Sequence, residues 1–165
     1  MGGYFLNFDK LDYVRGPKYN GCILCGLRDG EESLVDLTVH RGEHFLVSVN
    51  LYPYNPGHIL IYPRRHVVDI RELKAQENRE LEAIQSSFLD LLDDLQSPAG
   101  YNIGYNMGTV AGGSIDHLHL HIIPRYEREV GIADLIAGRR VLIESPYDTC
   151  SRIRELKNQK KYGLE

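Results

Sequence analysis

Three histidines alternate with leucines in the run His117-Leu118-His119-Leu120-His121. Successive side chains of an extended strand point to opposite faces. These imidazoles would therefore line one face while Leu118, Leu120 and Ile122 line the other. Imidazole titrates near neutrality and can be nucleophile, general base, general acid or metal ligand. Burying three on one face is costly unless they do such work. A metal-binding cluster and a polar alternation on an exposed strand are the competing readings. The loop ahead of them, Asn106-Met107-Gly108-Thr109-Val110-Ala111-Gly112-Gly113-Ser114, is rich in glycine. Glycines let a backbone approach a phosphate closely and turn N–H groups toward it. Asn106 and Ser114 add side-chain donors at the two ends. Such a loop, placed directly before the histidines, would deliver a phosphorus atom to an imidazole.

Cys22-x-x-Cys25 is a second constellation. The spacing suits two thiolates on one tetrahedral zinc ion. The rival is a redox pair, which ordinarily opens a helix after a strand. Gly26 and Arg28-Asp29-Gly30 predict a loop instead.

These groups need a scaffold, and 165 residues suffice for a single domain, 1–165, with a real hydrophobic core. A formal net charge of −4 gives no electrostatic reason to bind polymeric nucleic acid. An anionic substrate would be neutralised by local histidines and backbone N–H groups. No run approaches the ~20 apolar residues that cross a bilayer, so no membrane partner is expected. The opening MGGYFLNFDK lacks the charged-then-apolar order of a signal peptide. A cytoplasmic protein is the expectation. In that compartment Cys22, Cys25 and Cys150 suggest metal or thiol chemistry before a disulfide framework.

Along the chain, Gly16-Pro17 marks a turn, and alternating residues predict strands over Ser33–Val39 and His44–Val49. Leu51–Gly57 reads as a turn and His58–Tyr62 as a strand, making 44–62 an antiparallel hairpin. Leu81, Ile84, Phe88, Leu91, Leu92 and Leu95 predict an amphipathic helix over Gln76–Gln96, stopped by Ser97-Pro98 and Gly100. Further strands are expected over Tyr101–Asn106, from near Asp116, and over Arg140–Ile143. A basic helix from about Pro146 to Lys160 completes the chain. His40 and His44 read as surface residues. Tight turns with one long helix predict an α+β class with an antiparallel sheet, not a doubly wound fold.

The stretch GYNMGTVAGGSIDHLHLHIIPR resembles the histidine triad (HIT) superfamily of nucleotidyl hydrolases and transferases. Its signature, His-φ-His-φ-His-φ-φ with φ hydrophobic, is matched at every position from His117 to Ile123. The segment NLYPYNPGHILIYPRRH is similar to the family's β-hairpin. The resemblance spans roughly residues 20–125, with a weaker match over about 138–160. It implies a HIT-like fold: an antiparallel sheet of about five strands, one long crossing helix and a C-terminal helix. It also implies that His119 is the nucleophile toward an α-phosphate. His121 and His58 would contact phosphate oxygens, and Asn50 would line the nucleoside pocket. Asn106, Gly112, Gly113 and Ser114 would contact phosphate and ribose. A closing turn of the hairpin is an equal reading of Asn50, and a solvent-facing hairpin end is the alternative for His58. Some members hold a structural zinc through a cysteine pair, a histidine after the hairpin and the first triad histidine. Those positions are Cys22, Cys25, His66 and His117. The family often carries an aromatic, frequently tryptophan, after the Pro-Arg that follows the triad. Tyr126 stands there, and the chain has no tryptophan.

The expected chemistry is transfer of an adenylyl group through a nucleotidyl-histidine, with no organic cofactor. NLYPYNPGH with GTVAGGS is closest to the diadenosine tetraphosphate phosphorylase branch, which uses phosphate as acceptor. The alternatives are a hydrolase of dinucleoside polyphosphates or AMP phosphoramidates, and a nucleotide-binding sensor with weak turnover. The substrate class is an adenine nucleotide or dinucleoside polyphosphate. The resemblance also implies a homodimer in which two half-sheets join at the tyrosine-rich strand 101–105.

Overall fold

The computed structural model describes residues 19–127, 144–159 and 162–164. Five strands are present: β1 (Thr38–Arg41), β2 (Phe45–Val49), β3 (Ile59–Pro63), β4 (Gly100–Tyr105) and β5 (Leu120–Arg125). They form one sheet in the order β1-β2-β3-β5-β4, and every pairing is antiparallel. Among the described residues three α-helices accompany it: α1 (Ile23–Asp29), α2 (Ala75–Gln96) and α3 (Pro146–Lys157). The architecture is α+β, as the pattern of tight turns and one long helix requires.

Strand alternation sends the two faces of the sheet to different partners. Phe45, Val47, Val49, Ile59 and Ile61 join Leu81, Ile84, Phe88, Leu91 and Leu92 of α2 and Ile153 of α3 in the main core. Leu46, Leu60 and Tyr62, on the opposite face, pack with Leu24 and Leu27 of α1. Leu118, Leu120 and Ile122 belong to the main core. The intervening histidines are thereby turned toward the α1 side.

Most element boundaries fall within a residue or two of expectation, the usual scatter at frayed ends. Ser97 ends α2 in the left-handed conformation with φ of 46°, ahead of Pro98. Four expectations need correction. Residues 33–37 are not strand, because β2 ends at Val49, whose N–H already reaches the Leu37 carbonyl, and offers no further ladder. The histidine strand joins the sheet at Leu120, not near Asp116. Its partner β3 ends at Pro63, which has no N–H, and the Pro63 carbonyl is taken by the His117 ring. The CxxC segment opens helix α1 instead of forming a loop, with Cys22 as its N-cap and Gly30 at its left-handed C-cap with φ of 77°. Burial of Leu24 and Leu27 outweighs the poor helix propensity of Gly26. His40 is buried, edge-on to Phe88, and not a surface residue. The Gly16-Pro17 turn and the strand expected over Arg140–Ile143 lie outside the described residues.

The long helix also anchors a functional segment. Glu77, buried in its first turn, accepts from the Lys74 N–H at 2.7 Å and pairs with Arg65 at 2.6 Å. The Arg65 contact holds the Glu77 carboxyl down to about 2. The same guanidinium donates to the Glu72 carbonyl, so the chain just before His66 is tied to the start of α2. α3 packs on α2, β1 and β2. The β4 edge is therefore not covered by α3.

Phe88 is fully buried between α2 and the sheet. Phe88→Ala is expected to cost about 3–5 kcal/mol through lost burial and the cavity left behind. Urea unfolding followed by circular dichroism checks this; a loss under about 1 kcal/mol would contradict the packing described.

Candidate active site and metal centre

The His119 ring sits just ahead of β5, and its Nδ1–H donates to the backbone carbonyl of His117 at 2.7 Å. A carbonyl only accepts, so the proton of the neutral ring resides on Nδ1 and the lone pair on Nε2. Nε2 takes no hydrogen-bond partner among the described residues. The neighbouring His121 ring lies edge-on at 4.8 Å between centroids.

His58 is fully buried, which removes the solvent-facing reading of the hairpin end. The Tyr54 N–H donates to its Nδ1 at 3.2 Å, so Nε2 carries the proton and donates to His121 Nδ1 at 3.0 Å. His121 is then left with its own proton on Nε2, 3.5 Å from Asn106 Nδ2. Both groups donate, so no hydrogen bond joins them: the directional chain of N–H groups from the hairpin ends at His121, with the Asn106 amide beside it as a second donor. Burial, followed by the neighbouring imidazoles, pushes His58 down to about 3 and His121 to about 4. Both rings are neutral at pH 7. Asn50 joins this group: its Nδ2 lies 3.2 Å from His58 Nδ1, and its Oδ1 accepts from the Tyr52 N–H at 3.1 Å. Its observed side-chain contacts are thus to the His58 ring and to the hairpin turn at Tyr52.

The glycine-rich loop contains a single 3₁₀ turn, Thr109–Ala111, followed by Gly112 with φ of 88°. A side chain on Gly113 would lie 2.8 Å from the Asn106 carbonyl and 2.9 Å from that of Gly108. Tight folding of the loop onto Asn106 therefore requires glycine there. The N–H groups of Ala111, Gly112 and Gly113 bond to carbonyls within the loop. Gly112 and Gly113 thus supply shape more than donors. Ser114 is exposed at the loop's end and donates no hydrogen bond among the described residues.

The four residues expected to ligate metal converge. Cys22, Cys25, His66 and His117 each present one ligand atom, all within 4.8 Å of one another. Cys22 Sγ lies 3.3 Å from His117 Nδ1, and Cys25 Sγ lies 3.4 Å from His66 Nδ1 and 3.6 Å from His117 Nδ1. Tetrahedral bonds of about 2.3 Å to sulfur and 2.0–2.1 Å to nitrogen separate S and N ligands by about 3.6 Å. The donor set therefore fits a metal ion. His117 Nε2–H donates to the Pro63 carbonyl at 2.9 Å, which leaves Nδ1 as the ligand atom. A helix start suits a redox pair, but burial, then the Cys22 side chain, raises the Cys25 pKa. Reactive thiols are shifted the other way.

Several participants escaped the sequence reading. Tyr54 supplies the N–H that orients His58 and stacks on its ring at 5.4 Å with 16° between planes. Pro63 supplies the carbonyl that orients His117, and Arg65 ties down the His66 segment. The Tyr126 hydroxyl donates to the Pro56 carbonyl at 3.0 Å, bracing the hairpin turn. Neighbourhood to His58, His66 and the triad was the available signal for each.

Comparison with known proteins bears directly on this arrangement. A curated protein of Mycobacterium tuberculosis named AP-4-A phosphorylase is 38% identical over 120 residues, 72% of this chain and 60% of the relative. A Schizosaccharomyces pombe protein named bis(5'-nucleosyl)-tetraphosphatase (asymmetrical) is 34% identical over 88 residues, 53% of this chain and 48% of that one. The chain thus spans between about half and 60% of the length of these relatives. A solved structure of Sulfolobus tokodaii, described as a hypothetical histidine triad nucleotide-binding protein, superposes with a TM-score of 0.68 at 27% identity, covering 85% of this chain and 95% of the other. A family model described as the HIT domain matches residues 34–128, more than half of the chain and the whole span from Asn50 to His121. By that match, on top of the triad geometry, the chain belongs to the HIT domain family.

Proposed function

We propose that the protein transfers an adenylyl group from a dinucleoside polyphosphate to inorganic phosphate through His119, as a diadenosine tetraphosphate phosphorylase. The observation that carries this reading is the His119 ring, pinned through Nδ1 to the His117 carbonyl with Nε2 unengaged beside His121. Nε2 attacks the α-phosphorus; a P–N bond forms as the bond to the departing phosphate oxygen breaks. Charge growing on the phosphate oxygens meets the His121 Nε2–H and the Asn106 Nδ2–H, two donors that lie 3.5 Å apart, and Ser114 offers a hydroxyl from the exposed end of the loop. In the second step a phosphate oxygen attacks the same phosphorus, the P–N bond breaks, and ADP leaves with His119 restored. The name of the Mycobacterium tuberculosis relative supports phosphate as the acceptor. The name of the Schizosaccharomyces pombe relative keeps a hydrolase, with water as acceptor, as the second reading.

We also propose that the metal is zinc, held by Cys22 Sγ, Cys25 Sγ, His66 Nδ1 and His117 Nδ1. Two thiolates and two neutral imidazoles make a closed, charge-neutral site. Bound there, the ion supplies folding energy by joining α1 to the segment after β3 and to the triad. The chain forms a dimer in this reading, because β4 is an edge strand among the described residues, with N–H and C=O groups that a second copy can pair, and it exposes Ile103.

Turnover of diadenosine tetraphosphate with and without added phosphate tests the reaction. ADP and ATP appearing only with phosphate are expected, whereas AMP and ATP without it would favour the hydrolase. His119→Ala should reduce either reaction to background, a loss on the order of 10⁴-fold or more, while AMP still binds. Near-normal turnover in the folded variant would remove the covalent route.

Metal analysis of protein purified without chelator should find zinc stoichiometric with chain. Cys22→Ser should lower the melting temperature by several degrees and affect the chemical step less. Absence of zinc from the purified protein would count against the site. Light scattering at micromolar concentration should give twice the chain mass of 18.8 kDa; the monomer value would exclude the dimer.

A further inference from the structure

Asn55 lies in the turn before His58, yet only 1% of it is exposed. A carboxamide taken out of water is costly unless its groups are bonded. Its Nδ2–H donates to the Pro124 carbonyl of β5 at 2.6 Å, 69 residues along the chain. Its own backbone carbonyl accepts the His58 N–H at 3.2 Å. One residue thus joins the His58 backbone to β5, through its side chain at one end and its peptide group at the other.

The ladder between β3 and β5 has its last pair at Ile59 and Ile122. His58 lies one step beyond it, and its carbonyl is held on the β2 side by the Asn50 N–H at 2.9 Å. Toward β5, Asn55 reaches across the open end of the ladder. The turn has no slack against the same proline: a Cβ on Gly57, whose φ is 79°, would lie 3.0 Å from Pro124 Cγ. Asn55 therefore sets how closely the His58 ring approaches His121, where Nε2–H meets Nδ1 at 3.0 Å. A hydrogen bond of this kind is lost once its heavy atoms separate past about 3.5 Å. That contact decides what His121 can do. A neutral imidazole carries one proton, on either nitrogen. While His58 donates to Nδ1, the His121 proton stays on Nε2, the atom beside the Asn106 amide. With His58 withdrawn, the proton can move to Nδ1, and Nε2 becomes a lone pair that repels phosphate oxygens.

We propose that Asn55 is a positioning residue for the transfer: by clamping the turn to Pro124 it holds His58 on His121, and so keeps His121 a donor toward the reacting phosphate. Asn55 itself touches neither the phosphate nor His119; it acts through the two histidines. The inference rests on the reading of His119 as the group that accepts the adenylyl moiety and of His121 as a donor beside it.

Nitrogen-15 NMR of the full-length protein at pH 7 reads the tautomer of each ring. In the unsubstituted protein His58 and His121 should both carry the proton on Nε2; a proton on His121 Nδ1 would overturn the proposal before any substitution is made. Asn55→Ala, and Asn55→Leu, which removes the donor at nearly constant volume, should each turn His121 into a mixture of tautomers. In adenylyl transfer from diadenosine tetraphosphate to phosphate, kcat should then fall about tenfold with KM little changed, short of the ~10²–10³ that complete loss of one such donor costs. A His121 proton that stays on Nε2 in the folded variants, even if they melt earlier, would overturn the role of Asn55 and leave the reaction at His119 intact. A shifted tautomer in variants of a protein whose unsubstituted form transfers no adenylyl group would overturn the reaction and leave the hold of Asn55 on the two histidines.

Discussion

One backbone carbonyl, that of His117, links the two chemical centres of this protein. It accepts the Nδ1–H of His119 at 2.7 Å, so the proposed nucleophile has its lone pair on Nε2. The ring of the same residue faces the opposite way, with Nε2–H on the Pro63 carbonyl and Nδ1 toward Cys22 and Cys25. Two consecutive histidines of the alternating run are thus fixed by a single peptide unit between β3 and β5. A shift there would move both the proposed nucleophile and the proposed metal ligand.

Burial gives this arrangement its chemical character. His58 is removed from water and His121 largely so, and the protonated form of each is penalised accordingly. Neutral rings can pass a hydrogen bond in one direction. Here the Tyr54 N–H begins the chain, and the sequence of donors ends at the His121 Nε2–H beside Asn106. No histidine in that chain needs to be charged at pH 7, so several can share a small volume without mutual repulsion.

The surrounding elements hold these groups from both sides of the sheet. On one side α2 and α3 bury Leu118, Leu120 and Ile122, which fixes the direction of the histidines between them. On the other, α1 sets its leucines under β2 and β3 and brings Cys22 and Cys25 to its first turn. The ion pair of Arg65 and Glu77 ties the strand that ends in Pro63 to the long helix, and His66 follows directly. No helix among the described residues is long and apolar enough to cross a membrane.

Read without coordinates, the chain already declares its α+β class, its hairpin, its long helix and the sidedness of the triad. All of these follow from local periodicity, which spacing alone determines. The convergence of Cys22, Cys25, His66 and His117 and the grouping of His58, Asn106 and His121 were legible through motifs with a fixed order. What only the tertiary structure decided are contacts between segments far apart in sequence. Pro63 stops the ladder, so the histidine strand begins at Leu120 and the His117 ring finds a carbonyl 54 residues earlier. Burial of Leu24 and Leu27 against β2 and β3 makes the CxxC segment helical despite Gly26. The N–H groups of Ala111, Gly112 and Gly113 are spent on the loop's own carbonyls, and His40 lies against Phe88 of α2. A chain of side-chain and backbone donors from Tyr54 through His58 to His121 depends on which group lies within about 3 Å of which. Local pattern carries no information at that range; packing does.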